Sequence, residues 1–473
     1  MATVELADEQ YEFKSKTKTS LIIMGVVGVV FLLLGTLFGG SGHHEAAPAG
    51  KHGDAGEHHA TAEVSKSMVA SAEVTAEPQQ EHGDHAAAAE EHHEAGGHHG
   101  SPTWLKRIYT SLWHNAIFFT GLGIIGLFWV AIQFAAQAGW STPINRIPLA
   151  MGSWIPIAGV IVLVLWFVVK ADVFHWTDSS LYQEGTEHYD EILKGKSALW
   201  YWPLAAGTFP LFYVLRILIF FGLWYLFLIK IRKEMLAEDI EGGVGHWLTA
   251  RKFSAIFLVI FAVSSSIAAW DWVMSIDPHW FSTMMGWYVF ASWWVTGIAM
   301  ITLLVAILKD NGLLKAVNAN HLHDLGKFLF AFSIFWTYIW FDQFMLIYYA
   351  NIPEETVYFI ERKYVSPYAW VFITNLIMNF VLPFLLLMTR DAKRFTSTLK
   401  VVCPIVIVGH WFDFYNMITP GVMKYEGAFG FVEIGIFLIF AAAYLFTILS
   451  SLAKYPLVAK KHPFMAEALN HHI

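Results

Sequence analysis

Ten apolar runs of about 19 to 30 residues succeed one another along this chain, and that pattern leaves little choice of fold. An α-helix rises about 1.5 Å per residue, so each run can cross a hydrocarbon core about 30 Å thick. Inside such a core every backbone N–H and C=O must be paired within the protein, and a helix does this by itself. The runs are 20–38, 112–136, 151–169, 200–229, 251–274, 283–307, 327–350, 367–388, 399–419 and 430–451. The expected fold is an all-α polytopic membrane protein with ten transmembrane helices. With 56% hydrophobic and only 14% charged residues among 473, composition excludes a soluble domain. Cys403 is the single cysteine, which rules out an internal disulfide, a CxxC redox pair and an iron–sulfur cluster held by this chain alone.

The chain divides by composition. Residues 1–38 form a polar tail, with Lys14, Lys16 and Lys18, and the first membrane anchor. That run ends in Gly-Gly without a small-x-small cleavage site, so an anchor fits better than a signal peptide. Residues 39–100 hold 11 of the 22 histidines among Ala, Gly, Glu and Asp, too few large apolar groups to fold, so a disordered loop is expected. It serves as a soluble or proton-buffering spacer, or as a weak, fast-exchanging site for zinc, copper or nickel; no fixed ligand spacing repeats. Ser101–Tyr109 reads as an interfacial helix leading into the core.

Lys and Arg set the orientation. Placing the N-terminus inside puts 19 of them on the inner side and ten on the outer. Both termini are then cytoplasmic, and the His-rich loop faces the periplasm or exterior.

Ionisable groups within the runs are costly in hydrocarbon and need a reason to be there. His410 and Asp413, three residues apart in KVVCPIVIVGHWFDFYNMITPG, share one helical face. Asp172 and His175 end the third run, Asp271 ends the fifth with Asp277 and His279 beyond it, and Asp342 lies about two-thirds along the seventh. His114 and Asn115 begin the second run and Glu433 the tenth. With the orientation above, these groups fall in the outer half. Arg216, near the middle of the fourth run, is too deep to snorkel and calls for a carboxylate or carbonyl partner. Asn375 and Asn379 stand one turn apart and can join helices, while Pro210, Pro383 and Pro404 fall inside runs, where each can kink a helix. Through the core runs, 112–451, no clean GxxxG is present.

Such carboxylates and histidines among aromatic side chains suit two jobs. One is a slot for a hydroquinone, its hydroxyls accepted by Asp or His and its ring held by aromatic groups. The other is a proton path, in which Ser333, Thr337 and Tyr338 on the seventh run and Thr296 and Thr302 on the sixth extend the chain inward. Polar glue between helices is the third reading. Nucleotide fingerprints and HExxH are lacking, and no histidine pair stands at the spacing of a haem clamped between two helices. The chain offers no electron carrier of its own.

The segments GHWFDFYN, WDWVMSIDPHWFSTMMGWYVF and EETVYFIER, with the ten-span layout, resemble one of the two paralogous large membrane subunits of bacterial alternative complex III. These are similar to the integral membrane subunit of polysulfide reductase, and the likeness covers about 104–452. The resemblance implies two four-helix bundles, spans two to five and six to nine, flanked by spans one and ten. The corresponding units are 101–274, 275–419 and 420–473. It implies a bacterial inner-membrane component of a quinol oxidoreductase delivering electrons to cytochrome c or a high-potential iron–sulfur protein. Haem c and iron–sulfur clusters then reside in partner subunits: a multihaem cytochrome c, an iron–sulfur protein, a sister membrane subunit and small helical subunits. The other partners are menaquinol or ubiquinol and lipids, with no nucleic acid. The site positions it implies are Asp172, His175, Asp271, Asp342, His410 and Asp413, with His410, Asp413 and Asp342 nearest a quinone.

Single cysteines placed in 50–90 and in 240–245 test the orientation in sealed cells. An impermeant reagent should label the first and spare the second; the reverse pattern overturns the topology.

Overall fold

The computed structural model describes residues 9–39 and 101–472, so the segment expected to be a disordered His-rich loop lies outside the described residues. Ten helices here are long and apolar enough to cross a membrane. They are α1 (Ser15–Gly39), α2 (Thr103–Ala135), α3 (Arg146–Val173), α4 (Leu211–Glu241) and α5 (Gly245–Trp272), followed by α6 (Met285–Asp310), α7 (Ala319–Ala350), α8 (Ser366–Leu386), α9 (Thr396–Met423) and α10 (Phe431–Leu452). No sheet occurs among the described residues. The β-type pairing there is one isolated antiparallel bridge, Gln10 to Pro456, which puts both described chain ends at one face of the bundle.

Helices α2 to α5 pack around one another, as do α6 to α9, giving two four-helix bundles; α1 and α10 form a flanking pair with α10 against α2. Helices α2 and α6 are the most buried spans and lie at the seam between the bundles. They approach closely because each offers the other a glycine. A Cβ on Gly121 would lie 1.8 Å from Trp293 Cδ1, and one on Gly297 would lie 2.1 Å from Ile125 Cγ2.

Two boundaries differ most from the sequence reading. The fourth span starts at Leu211, not near 200, because Pro203, Gly207 and Pro210 keep that stretch out of the helix. Pro210 therefore serves as the N-cap of α4 and does not kink its interior. The interfacial helix expected at 101–109 is the first part of α2, which runs unbroken from Thr103. That extension carries His114 and Asn115 three turns into the span, where both are buried. Pro383 acts as expected: it cannot donate to the carbonyl four residues back and crowds it, and α8 widens into a π-turn over Ile377–Val381.

Ion pairs tie spans at their ends. Arg107 of α2 grips Glu433 of α10 through two bonds of 2.6 Å. Arg146 at the start of α3 meets Asp239 of α4 at 2.6 Å and donates to Met235 O at 2.8 Å. The chain end joins α7 where His471 Nε2 lies 2.7 Å from Asp324.

Without hydrophobic drive between lipid-facing helices, α1 and α10 depend on close backbone packing. A Cβ on Gly28 would lie 2.7 Å from Gly435 O, and one on Gly435 would lie 2.7 Å from Gly28 O. The reporter for this contact is the pair Gly25→Cys and Ala442→Cys, since a Cβ on Gly25 falls 3.6 Å from Ala442 Cβ, within disulfide reach. Oxidant should cross-link the pair efficiently, and adding Gly28→Leu should cut the yield severalfold. Undiminished cross-linking would refute the close contact.

Candidate functional site

The second bundle closes around a single carboxylate. Asp413 sits on α9, about 25 Å along a helix about 42 Å long, and is wholly enclosed at 0% exposure. Its Oδ1 accepts from the Tyr288 hydroxyl of α6 and from Asn375 Nδ2 of α8 at 2.8 Å. Oδ2 accepts from Trp336 Nε1 of α7 at 2.9 Å. Each of the other three helices thus contributes one neutral donor. His410, one turn back on α9, is equally enclosed: its Nδ1 lies 3.8 Å from Asp413 Oδ2 and 3.0 Å from Ser292 Oγ of α6. Hydrogen bonds to a charged acceptor contribute roughly 1.5–3 kcal/mol each, the scale needed to offset taking a carboxylate out of water.

On the side toward the chain ends, three buried polar atoms lack a partner among the described residues: His410 Nε2, Asn379 Oδ1 and Ser333 Oγ. Asn379 lies in the π-turn and donates to Asn375 Oδ1, one turn above it. Ser333 is three residues from Trp336 on α7. Each orphaned atom costs roughly 1–3 kcal/mol unless a water or proton donor reaches it.

On the opposite side lies a charged cluster built from three separate segments. Arg362, from the short helix Pro353–Tyr364, is 1% exposed and its Nε donates to Asn416 O at 2.9 Å. That carbonyl is the one Pro420 cannot bond within α9, so a guanidinium replaces the missing N–H. Arg362 also donates to Met417 O at 3.0 Å and meets Asp277 at 3.2 Å, with its guanidinium over the Tyr358 ring at 3.4 Å. Lys424 bridges Asp277 at 2.9 Å and Glu361 at 3.2 Å. Burial opposes the ionisation of Asp277, but Arg362 and Lys424 outweigh it and hold its carboxyl below the usual range. Burial likewise pushes the Tyr358 hydroxyl up to about 12, against the opposing pull of Arg362.

The six positions expected to form the site are not gathered in one place. His410 and Asp413 share the network above. Asp271 belongs to the first bundle, where its two oxygens accept from Arg216 Nε at 2.6 Å and Nη2 at 2.8 Å. The partner expected for Arg216 is therefore Asp271 itself, and the two residues form one unit. Asp172 accepts from the backbone N and hydroxyl of Ser101, at 3.1 and 3.0 Å, tying down the entry to α2. His175 is exposed in a 3₁₀ turn beyond α3. Asp342 is half-buried on a flank of α7, beside outward-facing Phe341 and Met345. His410, Asp413 and Asp342 thus do not line one slot. Tyr338 is 62% exposed and faces away from the bundle interior, while Thr296 and Thr302 bond their own helix.

Tyr288, Ser292, Trp336 and Arg362 were not singled out from sequence. The signal for the first two was their spacing: Tyr288, Ser292 and Thr296 recur every four residues on one face of α6. Among the described residues, no three His, Cys, Asp or Glu side chains gather where they could hold a metal ion. No protein-family model and no curated protein matches the chain.

Removing one partner of a buried pair strands the other charge, at a cost of about 3–5 kcal/mol, whereas replacing both with apolar groups is often neutral. Arg216→Leu should accordingly lower thermal stability sharply in detergent, and Arg216→Leu with Asp271→Leu should restore most of it. A double variant as unstable as the single one would show that the pair does more than join α4 to α5.

Proposed function

We propose that this chain is the membrane subunit of a respiratory quinol:electron-acceptor oxidoreductase and that its second bundle guides protons. Quinol oxidation releases two electrons and two protons. The electrons require redox centres, which this reading places on partner subunits, and the protons require a path through low-dielectric protein.

The observation that carries the reading is the enclosed Asp413–His410 pair. At Arg216–Asp271 a fixed guanidinium lies against the carboxylate. Asp413 has only neutral donors, and the His410 imidazole lies 3.8 Å away, close enough for one bridging water to relay a proton between the two without stranding a cation. His410 Nε2, Asn379 Oδ1 and Ser333 Oγ are where waters would extend the path toward the chain ends. Tyr288 leads the other way, toward Tyr358 and the Arg362–Asp277–Lys424 cluster. With both chain ends cytoplasmic, that cluster is the periplasmic exit.

A second reading draws on Asp342. A half-buried carboxylate beside outward-facing aromatic side chains is accessible from lipid, and a quinone head group could accept or deliver a proton there.

The two readings make opposite forecasts for purified, assembled enzyme. Proton guidance through the core requires Asp413→Asn and His410→Gln each to lower quinol turnover at least tenfold, and Asp342→Asn to leave it within about twofold. A loss confined to Asp342→Asn would favour the quinone reading, and wild-type turnover in all three would leave these groups as polar glue.

A further inference from the structure

Helix α10 packs on the first turns of α3, and α4 meets the same stretch where Leu228 faces Gly152 and Arg232 reaches Ser153. Between them, at the face carrying both described chain ends, opens a cleft of about 390 Å³. It lies well apart from the Asp413 network, on the side of the first bundle.

The chemistry of its mouth is cationic. Arg232 of α4 is half-buried, and its Nη2 donates to Ser153 Oγ at 2.7 Å and to Leu149 O at 3.1 Å. Ser153 Oγ is 2.8 Å from Ser451 Oγ, so the guanidinium is fixed against a wall of neutral oxygens. Lys454, just past the end of α10, stands exposed at the same mouth. No aspartate or glutamate lines the cleft, which leaves two positive charges facing one small volume.

Deeper in the membrane the lining turns apolar. Tyr225 and Phe446, each 42% exposed, lie seven and eight residues back along the chain from Arg232 and Lys454. That is about 10–12 Å of helix, the distance from a phosphate to the upper acyl chain. A headgroup-level pair of cations above an aromatic groove that opens to lipid matches an amphiphile carrying a negative head.

We propose that this cleft binds one anionic phospholipid, its phosphate between Arg232 and Lys454 and its acyl chains along Tyr225 and Phe446. A guanidinium held in place by Ser153 offers directed donors to phosphate oxygens, and the ammonium adds a point charge. A zwitterionic choline head would bring a third positive charge to the mouth and is disfavoured.

The test is native mass spectrometry of the full chain, purified in mild detergent with whatever subunits accompany it, after delipidation and titration with defined lipid. Phosphatidylglycerol should be retained at one per chain and preferred at least fivefold over phosphatidylcholine. Lys454→Gln, which removes an exposed group and threatens no fold, should weaken retention about threefold. Lys454→Gln with Arg232→Gln should abolish the preference, while Lys233→Gln, on an exposed position of the same helix, should change nothing. Equal retention of the two lipids, or wild-type retention in Lys454→Gln, would overturn the proposal. Inorganic phosphate that competes at equal concentration would assign the site to free phosphate and overturn it too. So would lipid bound to the isolated chain but excluded from the native assembly, which would give the cleft to an acidic partner.

Discussion

The rest of this structure follows from the cost of holding charge where water is scarce. Moving an ion into a medium of low dielectric costs several kcal/mol even after relaxation, so each intramembrane ionisable group must be paired or hydrogen-bonded. The chain meets that demand in two distinct ways. Arg107–Glu433, Arg146–Asp239 and Arg216–Asp271 are short ion pairs, each joining two helices. Asp413 is treated differently: three neutral donors from three helices converge on it, with His410 one turn away. The first solution locks helices together. The second holds a carboxylate in place with neutral donors alone.

Irregular backbone is what brings the second arrangement about. Pro383 opens the π-turn that holds Asn379 one turn below Asn375 and links both amides. Pro420 leaves Asn416 O without its helical donor, and Arg362 supplies one from a helix outside the spans. With the further bonds from Arg362 to Met417 O and from Lys424 to Glu361, the short helix Pro353–Tyr364 is pinned over the end of α9, and Asp277 is drawn in beside it. Two residues that cannot donate a backbone hydrogen bond thus define the two sides of the Asp413 network.

The number and class of the spans were legible in sequence because hydrophobic length in a bilayer is a one-dimensional property. The start of α4 was not, since Trp200, Tyr201 and Leu204 are apolar enough to extend the run, and only Pro203, Gly207 and Pro210 speak against it. At the site, His410 and Asp413 were legible because their spacing is local. The Arg216–Asp271 pair was half legible: a partner was demanded by depth, but which carboxylate could answer depends on how α4 and α5 lie side by side. Tyr288 and Trp336 were opaque for a related reason. In a chain with 21 Trp and 18 Tyr, a single aromatic donor carries no signal until its neighbour across the bundle is known. Arg362 looked like a loop charge, and it became a core residue only through the carbonyl that Pro420 frees.

Both bundles have a charge at their centre, and they hold it differently. Both are closed around polar groups and tied to each other at the seam, where His114 Nε2 reaches Trp411 O at 3.0 Å and Trp411 Nε1 donates to Asn115 Oδ1 at 3.0 Å. In the first bundle the central charges, Arg216 and Asp271, are locked together. In the second, the orphaned His410 Nε2, Asn379 Oδ1 and Ser333 Oγ lie on one side of Asp413, and a fully paired charge cluster lies on the other. Buried polar atoms without partners each cost free energy unless water reaches them. The first bundle has orphaned atoms too, Trp166 Nε1 and Ser254 Oγ among them, but its central pair, Arg216 and Asp271, bonds through both carboxylate oxygens. The central charge is thus fixed by a guanidinium in the first bundle and by neutral donors from three helices in the second.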